Sequence, residues 1–487
     1  MQDDISSTFI DSPKLILTVF VTLLVIIFQS TQEFPGIYFD EFRIVMVSDW
    51  EWTISFANIN RIISFRTIFS YLRWVALVSI ILFAAYDSFT KHKTLRSVNK
   101  ADISILMFII VATVSCLYSI NVTKSIMRVI SLVLMYLAVF WGIWLYADRY
   151  GDKSVIHTIV IVVTIVFVLH ILNIFFDRLG SFPYFGRFQG WTINPGIAAS
   201  HASLFFPIVL YVSLQSSKWQ YWLLMAAMIF VLIMSQTRTE IVAMSIGSLY
   251  FVFRSYPKHR FISVLSVTLI LVISYAWIEI GPRIYPKNVD FDIRSLFGSE
   301  IVVQDNSLDK YLSVDDDIDN WYDRFNPRTA DARTLAHRTD KWRLGLTYFV
   351  ERPFHGFGFG TEDQLFEYHG VEPQNYQLSG AYMHNSYLGL LLQVGLLGAF
   401  LFYAPIGFLV WNVIFRHYEW PDNYLRDALV SVVLTCLIAG LFSSDLYSMG
   451  NIKSIIFWIS IMMLIRSRRV QTQIQDIQLG TILDKFK

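Results

Sequence analysis

The chain has 487 residues, of which 55% are hydrophobic, 16% aromatic and 16% charged, against about 25% charged in soluble domains. That balance excludes a soluble globular protein and describes an integral membrane protein. A formal net charge of +1 gives nucleic acid no electrostatic reason to bind, and Cys116 and Cys436, both inside apolar runs, offer neither a disulfide framework nor a thiolate metal site.

A helix needs about 20 mostly apolar residues to cross hydrocarbon. Runs of that kind stand near residues 14–30, 69–87, 102–120, 127–147, 154–175, 195–214, 219–236, 239–254, 261–280, 386–415, 427–444 and 452–466. They predict an all-α polytopic membrane protein with about twelve transmembrane helices. About nine fall in residues 1–280, a large loop covers 281–383, about three more fall in 384–466, and a tail covers 467–487. The first run follows no basic segment and carries no small-residue cleavage site, so it reads as a retained span. The long run after His384 has room for a short helix ending near Gly395 ahead of a full span. No internal repeat is visible, which weighs against a transporter built from two related halves.

Basic residues give the orientation. Lys91, Lys93, Arg96 and Lys100, then Arg149 and Lys153, Lys218, Arg254, Lys258 and Arg260, Arg416 and Arg426, and Arg466, Arg468 and Arg469 occupy alternate short loops. By the positive-inside rule that side, with both termini, is cytoplasmic. The other side holds an acidic, aromatic segment over 31–68, a segment over 176–194 with Arg178 and Arg187, and the large loop. Inside the loop, His337 to Glu351 reads as a helix with Arg338, Trp342, Gly345 and Phe349 on one face and Pro353 behind its end. Asn306 to Arg328 reads as a polar surface segment. Its run Asp315-Asp-Asp317 has the look of a cation site, but a solvated acidic loop explains it more simply.

The chemistry gathers on that outer side. His384 stands where the polar loop meets the next apolar run. A free imidazole titrates near ~6.5 and accepts a proton at neutral pH; the plain alternative is an interfacial residue that caps a helix. Arg187, Arg238 and Arg338 all lie beside membrane runs, where a charge costs ~2.5–3.5 kcal/mol or more at the bilayer centre and is kept when an anion or carboxylate compensates. Guanidinium grips phosphate oxygens in bidentate fashion and stays charged; a snorkelling residue or a structural ion pair is the alternative for each. Outside the cytoplasm no nucleotide-sugar is supplied, so a transferase there needs a lipid-borne activated donor. A diphosphate leaving group needs charge neutralisation rather than a proton, and a sugar hydroxyl acceptor needs a general base. One His with several Arg is a sufficient set, with neither metal nor other cofactor.

Other signals carry less. Gly356-Phe-Gly-Phe-Gly360 follows a helix rather than a strand, so it reads as a tight turn packing aromatics and not as a dinucleotide loop. His337, His355 and His369 lack ligand spacing. Asp445 is placed to pair with an arginine or with His384, or is mere loop polarity. Trp50, Trp52, Trp191 and Trp342 suit sugar stacking and interfacial anchoring equally.

At these residues the chain resembles the O-antigen ligase and O-antigen polymerase superfamily of bacterial envelope glycan enzymes. The matching pieces are Arg187-Phe-Gln-Gly with Asn194-Pro195, Ser235-Gln-Thr-Arg-Thr239, Arg338-Thr-Asp-Lys-Trp342 followed by Pro353-Phe-His-Gly-Phe-Gly-Phe-Gly360, and His384-Asn-Ser-Tyr with Gly395-Leu-Leu-Gly398. The resemblance covers residues 180–465. It implies a GT-C-like, metal-independent glycosyltransferase of the inner membrane using undecaprenyl-diphosphate-linked oligosaccharide. Carried over, His384 is the general base, Arg238 and Arg338 contact the diphosphate with Arg187 as a further contact, and Trp342 and Asn385 join the substrate-binding set. Gly196 stands where many relatives have Asn, which leaves the 187–196 segment without an assigned role. A polymerase, whose acceptor is another lipid-linked repeat unit, stands slightly ahead of a ligase acting on lipid A core. A chain-length regulator is a further partner, and the rival from another class is a lipid-oligosaccharide flippase.

Overall fold

The computed structural model describes residues 17–24, 43–47, 51–55, 63–90, 96–176, 187–192, 194–216, 218–284, 338–371, 382–415, 420, 422–447 and 451–467. Residues 306–328 with Asp315–Asp317, His337, Arg178, Trp50 and the tail from 468 fall outside them.

Helix α1 covers 17–24. A small antiparallel meander follows, formed by β1 (Arg43–Val47), β2 (Glu51–Ser55) and β3 (Ile63–Ser64), with Arg43 opposite Ser55 and Thr53 opposite Ser64. The all-helical expectation did not include this element. Its strands are short and rich in Ile, Val and Thr, side chains that suit a pleated surface.

Helices then follow in series: α2 (Phe65–Thr90), α3 (Lys100–Ser115), α4 (Val122–Leu137), which runs through a π-helical turn Ala138–Ile143 into α5 (Trp144–Tyr150), and α6 (Asp152–Phe176). Next come α7 (Pro195–Gln215), α8 (Trp219–Met234), α9 (Arg238–Ser255) and α10 (Arg260–Ile284). Helix α11 (Arg338–Glu351) and the single turn α12 (Leu365–Tyr368) precede α13 (Ser386–Phe415), α14 (Asn423–Ala439) and α15 (452–467). Among the described residues, six helical stretches are long and apolar enough to cross a membrane: Leu72–Phe89, Val122–Tyr150, Asp152–Phe175, Pro195–Gln215, Pro257–Trp277 and Ser386–Phe415. Trp219–Met234 is apolar but shorter. The chain is a multi-pass membrane protein.

Helix starts follow side chains that satisfy orphan backbone donors. Asn99 and Asp102 form a reciprocal capping box at α3; Asn121, Asn194 and Asp422 cap α4, α7 and α14. Helices α9 and α14 pack directly on each other, and both pack on α7. Their crossing is close because Gly247 has no side chain: a Cβ there would lie 2.2 Å from Thr435 Oγ1. Ser431 Oγ donates across the crossing to the Gly247 carbonyl. Small residues with hydroxyl bridges are what hold helices together where lipid removes the hydrophobic drive. Basic residues from the loops expected to be cytoplasmic are ion-paired: Arg96 with Asp102, Arg149 with Asp87, and Arg466 with Asp148 and Asp152.

Candidate active site

The site is built on a break in α13. Gly395 sits at φ +65°, ψ −170°, where the sequence leaves room for a short helix to end, and divides α13 into a first segment and a longer apolar one. The break exposes carbonyls at a depth where lipid offers no donor, so they must be met by protein. The loop after α11 meets them. Phe357 N–H donates to Leu392 O at 2.8 Å and Gly358 N–H to Gln393 O at 2.9 Å, while Leu396 N–H donates to Pro353 O at 2.8 Å. A Cβ at Gly395 would lie 2.2 Å from the Phe354 carbonyl carbon, so only glycine fits. The glycine-rich turn is thus the plug of a broken helix, with buried Phe357 and Phe359 as its apolar filling.

This plug sets the backbone ahead of α13. Met383 is fully buried, and both of its backbone groups are held by side chains. Its N–H donates to Glu362 Oε1 at 2.8 Å, and its carbonyl accepts from Trp342 Nε1 at 2.8 Å. His384 follows, half-buried, with φ +52°. A left-handed conformation costs a non-glycine residue roughly 1 kcal/mol or more and persists only where neighbours impose it. Asn385 continues the restraint. Its N–H donates to Ser444 Oγ at 3.2 Å, and its Oδ1 accepts from Tyr387 N and Leu388 N, both at 3.0 Å, which makes it the N-cap of α13. Ser386 N–H then donates to Gly440 O at 2.7 Å.

Glu362 is the hub. Its carboxylate is 3% exposed and accepts from Met383 N–H, from Ser444 Oγ at 2.6 Å, from Tyr447 OH, and from Gln393 Nε2 at 3.3 Å. Burial pushes its carboxyl up to about 7, against the pull of those donors. One carboxylate therefore joins the loop, the residue before His384, the first segment of α13 and the 440–447 turn.

Helix α11 begins at Arg338, and the face foreseen from its spacing is the one that docks. Trp342 reaches Met383, and Gly345 lets the helix approach the Met383 sulfur and Leu388. Arg338 lies about one turn, roughly 6 Å, before Trp342 on the same face. Lys341 is 8% exposed, and burial followed by repulsion from Arg338 lowers its ammonium to about 8, with Glu362 opposing.

Arg238 opens α9 and is exposed. Arg187 lies beneath it: Nε donates to Ser235 O at 3.0 Å and a terminal nitrogen to Thr237 Oγ1 at 3.4 Å, while Phe188 N–H donates to Met234 O at 2.8 Å. Arg187 therefore braces the turn that presents Arg238. Asn194 caps α7 by accepting from Gly196 N–H at 2.7 Å. That gives the Asn-Pro-Gly part of the 187–196 segment a structural role.

Lys453 links the arginine side to the histidine side. Buried on α15, it pairs with Glu240 Oε1 at 2.7 Å and Asp445 Oδ2 at 3.0 Å. Glu240, also bound by Ser200 and Ser203, lies two residues after Arg238. Asp445 N–H donates to Ser386 Oγ at 3.1 Å, two residues after His384. Asp445 thus pairs with this lysine, a partner the sequence did not suggest.

Other candidates resolve differently. His369 stacks on Tyr348 at 3.7 Å and reaches Glu351, and His355 packs edge-on against Tyr118. Trp191 is buried, with its N–H on Val166 O at 3.2 Å, and forms part of the core. No group of three or more metal-ligating side chains occurs among the described residues. Glu362, Lys341, Glu240 and Lys453 escaped sequence reasoning. A lone Glu in a loop and a lone Lys opening an apolar run look like ordinary interfacial charges until partners far along the chain are seen.

The elements carrying Arg238, Arg338 and His384 are thus joined in one polar network at the end of the molecule that carries the loop. Residues 223–403 match the family model described as O-antigen ligase. The match takes in Arg238, Arg338 and His384, leaves Arg187 outside, and supports the resemblance to the O-antigen ligase and polymerase superfamily. A comparison with curated proteins gives no match.

Proposed function

We propose that the protein is a glycan polymerase of the bacterial inner membrane, with a GT-C-like fold of about twelve spans and both termini cytoplasmic. It joins undecaprenyl-diphosphate-linked oligosaccharide units at the periplasmic face. The acceptor sugar hydroxyl attacks the anomeric carbon of the donor and passes its proton to the His384 imidazole. The bond from that carbon to the diphosphate oxygen breaks, and the anomeric centre inverts. Arg238 and Arg338, with Lys341 beside Arg338, neutralise the departing diphosphate. Arg187 and Asn385 hold neighbouring backbone, and Trp342 couples the Arg338 helix to the residue before His384. No step requires a metal.

The observation that carries this reading is the clamp on Met383. It fixes a single imidazole in a strained conformation against a helix whose first residue is Arg338. The ligase reading, with lipid A core or another terminal acceptor in place of a repeat unit, draws its support from the description of the matched family as O-antigen ligase. Lipid-linked intermediates in a strain lacking the chain separate the readings. Single repeat units on carrier or core indicate a polymerase. Long unattached polymer on the carrier indicates a ligase. Single units facing the cytoplasm indicate a flippase and overturn the transferase reading.

A further inference from the structure

A second group of cations lies at the same end of the molecule, on other helices. Arg73 is in the third turn of α2 and is 6% exposed; its Nε is buried with no hydrogen-bond partner. Arg128, half-buried, lies six residues into α4, about 9 Å from its start at 1.5 Å per residue. The two guanidinium groups are near enough to repel each other. Neither makes an ion pair with any carboxylate among the described residues. Lys124, one turn earlier on α4, is paired with Asp363, which also accepts from Tyr382 OH at 3.3 Å. The Arg128 stem lies against Gly360, where a Cβ would come within 2.3 Å of its Cγ. Tyr382 feels the Arg128 charge and stands two residues before His384.

This cluster is separate from the one at Arg238. Helix α2 packs mainly on the π turn and on α4, and α4 packs mainly on α3 and the π turn, whereas α9 packs on α7, α14 and α10. Two neighbouring arginines in the outer part of the spans, neither with a counter-ion among the described residues, are a costly arrangement. Contrast Arg96, Arg149 and Arg466, each of which has its aspartate. An anion with several oxygens, delivered at the membrane surface, would offset both charges: a phosphate ester on a lipid.

We propose that Arg73 and Arg128, with Lys124 and Tyr382 at the rim, bind the phosphate of a second lipid-borne substrate, the acceptor, on the flank of His384 away from Arg238. This rests on the transferase reading. It adds that the protein holds two phosphorylated lipids at once, one on each side of the base.

The test counts ligands. The full chain in nanodiscs is titrated with farnesyl diphosphate and examined by native mass spectrometry. A second bound molecule, lost in Arg73→Gln/Arg128→Gln and kept in Arg238→Ala/Arg338→Ala, is the expected result. In turnover assays Arg128→Gln should raise the acceptor KM about tenfold or more while the donor KM holds. A single bound molecule that only the Arg238/Arg338 variant loses, or a rise in donor KM instead, overturns the proposal and leaves the transferase reading standing. No binding at all overturns both. Displacement of the second molecule by phosphatidic acid as readily as by farnesyl diphosphate supports a phosphorylated glycolipid acceptor; displacement by the diphosphate alone supports a second carrier-linked chain. Thermal melting keeps the test independent of turnover. Arg73 has no ion pair among the described residues to lose, so Arg73→Met should melt no lower than wild type, and a clear drop sinks the proposal.

Discussion

Replacing Glu362 by Gln tests the hub of the site without changing its shape. Burial carries the Glu362 carboxyl from an ordinary 4.5 to about 7, so the folded protein holds this proton more tightly than the unfolded chain does. Stability is therefore greatest below pH 4.5 and is lost as pH rises through 7; by pH 8 the charged form costs about 3 kcal/mol relative to the protonated one. Gln carries no such penalty at any pH. It does bring its amide nitrogen toward Gln393 Nε2, which faces Glu362 at 3.3 Å and cannot turn away, because Gln393 Oε1 already accepts from Gly360 N–H at 2.6 Å. That mismatch costs about 1–2 kcal/mol throughout. The two proteins should cross: Glu362→Gln melts below wild type at pH 5 and equals or exceeds it at pH 8. The assay is tryptophan-fluorescence melting of both proteins in nanodiscs from pH 5 to 8. Parallel profiles across that range would show that Glu362 is not buried as a strained carboxylate, and the account of how His384 is held would go with it.

Four further outcomes follow from the same geometry. His384→Ala should abolish glycan transfer with donor binding nearly intact, whereas near-normal turnover in His384→Gln would show that proton abstraction there is not required. Arg338→Lys and Arg238→Lys should each lower transfer by about tenfold or more, because an ammonium cannot match a bidentate contact; wild-type rates in either variant would return that residue to a structural role. Donor affinity should weaken as pH rises past about 8, where Lys341 sheds its charge, and Lys341→Arg should flatten that decline; an unchanged profile in the Arg variant removes Lys341 from the donor site. Lys453→Met should destabilise the protein by about 3–5 kcal/mol by stranding Glu240 and Asp445, and adding Glu240→Gln should recover part of the loss, a recovery that double-variant melting either shows or does not.

Much of this protein was legible in one dimension because the bilayer imposes one-dimensional rules. Span length is a count of apolar residues, so helix was expected where α2 to α10 and α13 to α15 lie. Helical spacing placed Arg338, Trp342, Gly345 and Phe349 on one face, and that face is the docked one. Position alone marked His384, since an imidazole at the junction of loop and span stands out in any apolar sequence. Tertiary structure decided what each polar residue is paired with. Glu362 and Tyr447 are 85 residues apart and Glu240 and Lys453 farther still, and no local pattern joins them. It also turned Arg187 into a brace, Asn385 into a helix cap and the glycine-rich turn into the plug of a broken helix. The physical reason is that hydropathy acts residue by residue and is written along the chain, whereas the partner of a buried charge is chosen only when folding brings distant segments together in a place without water.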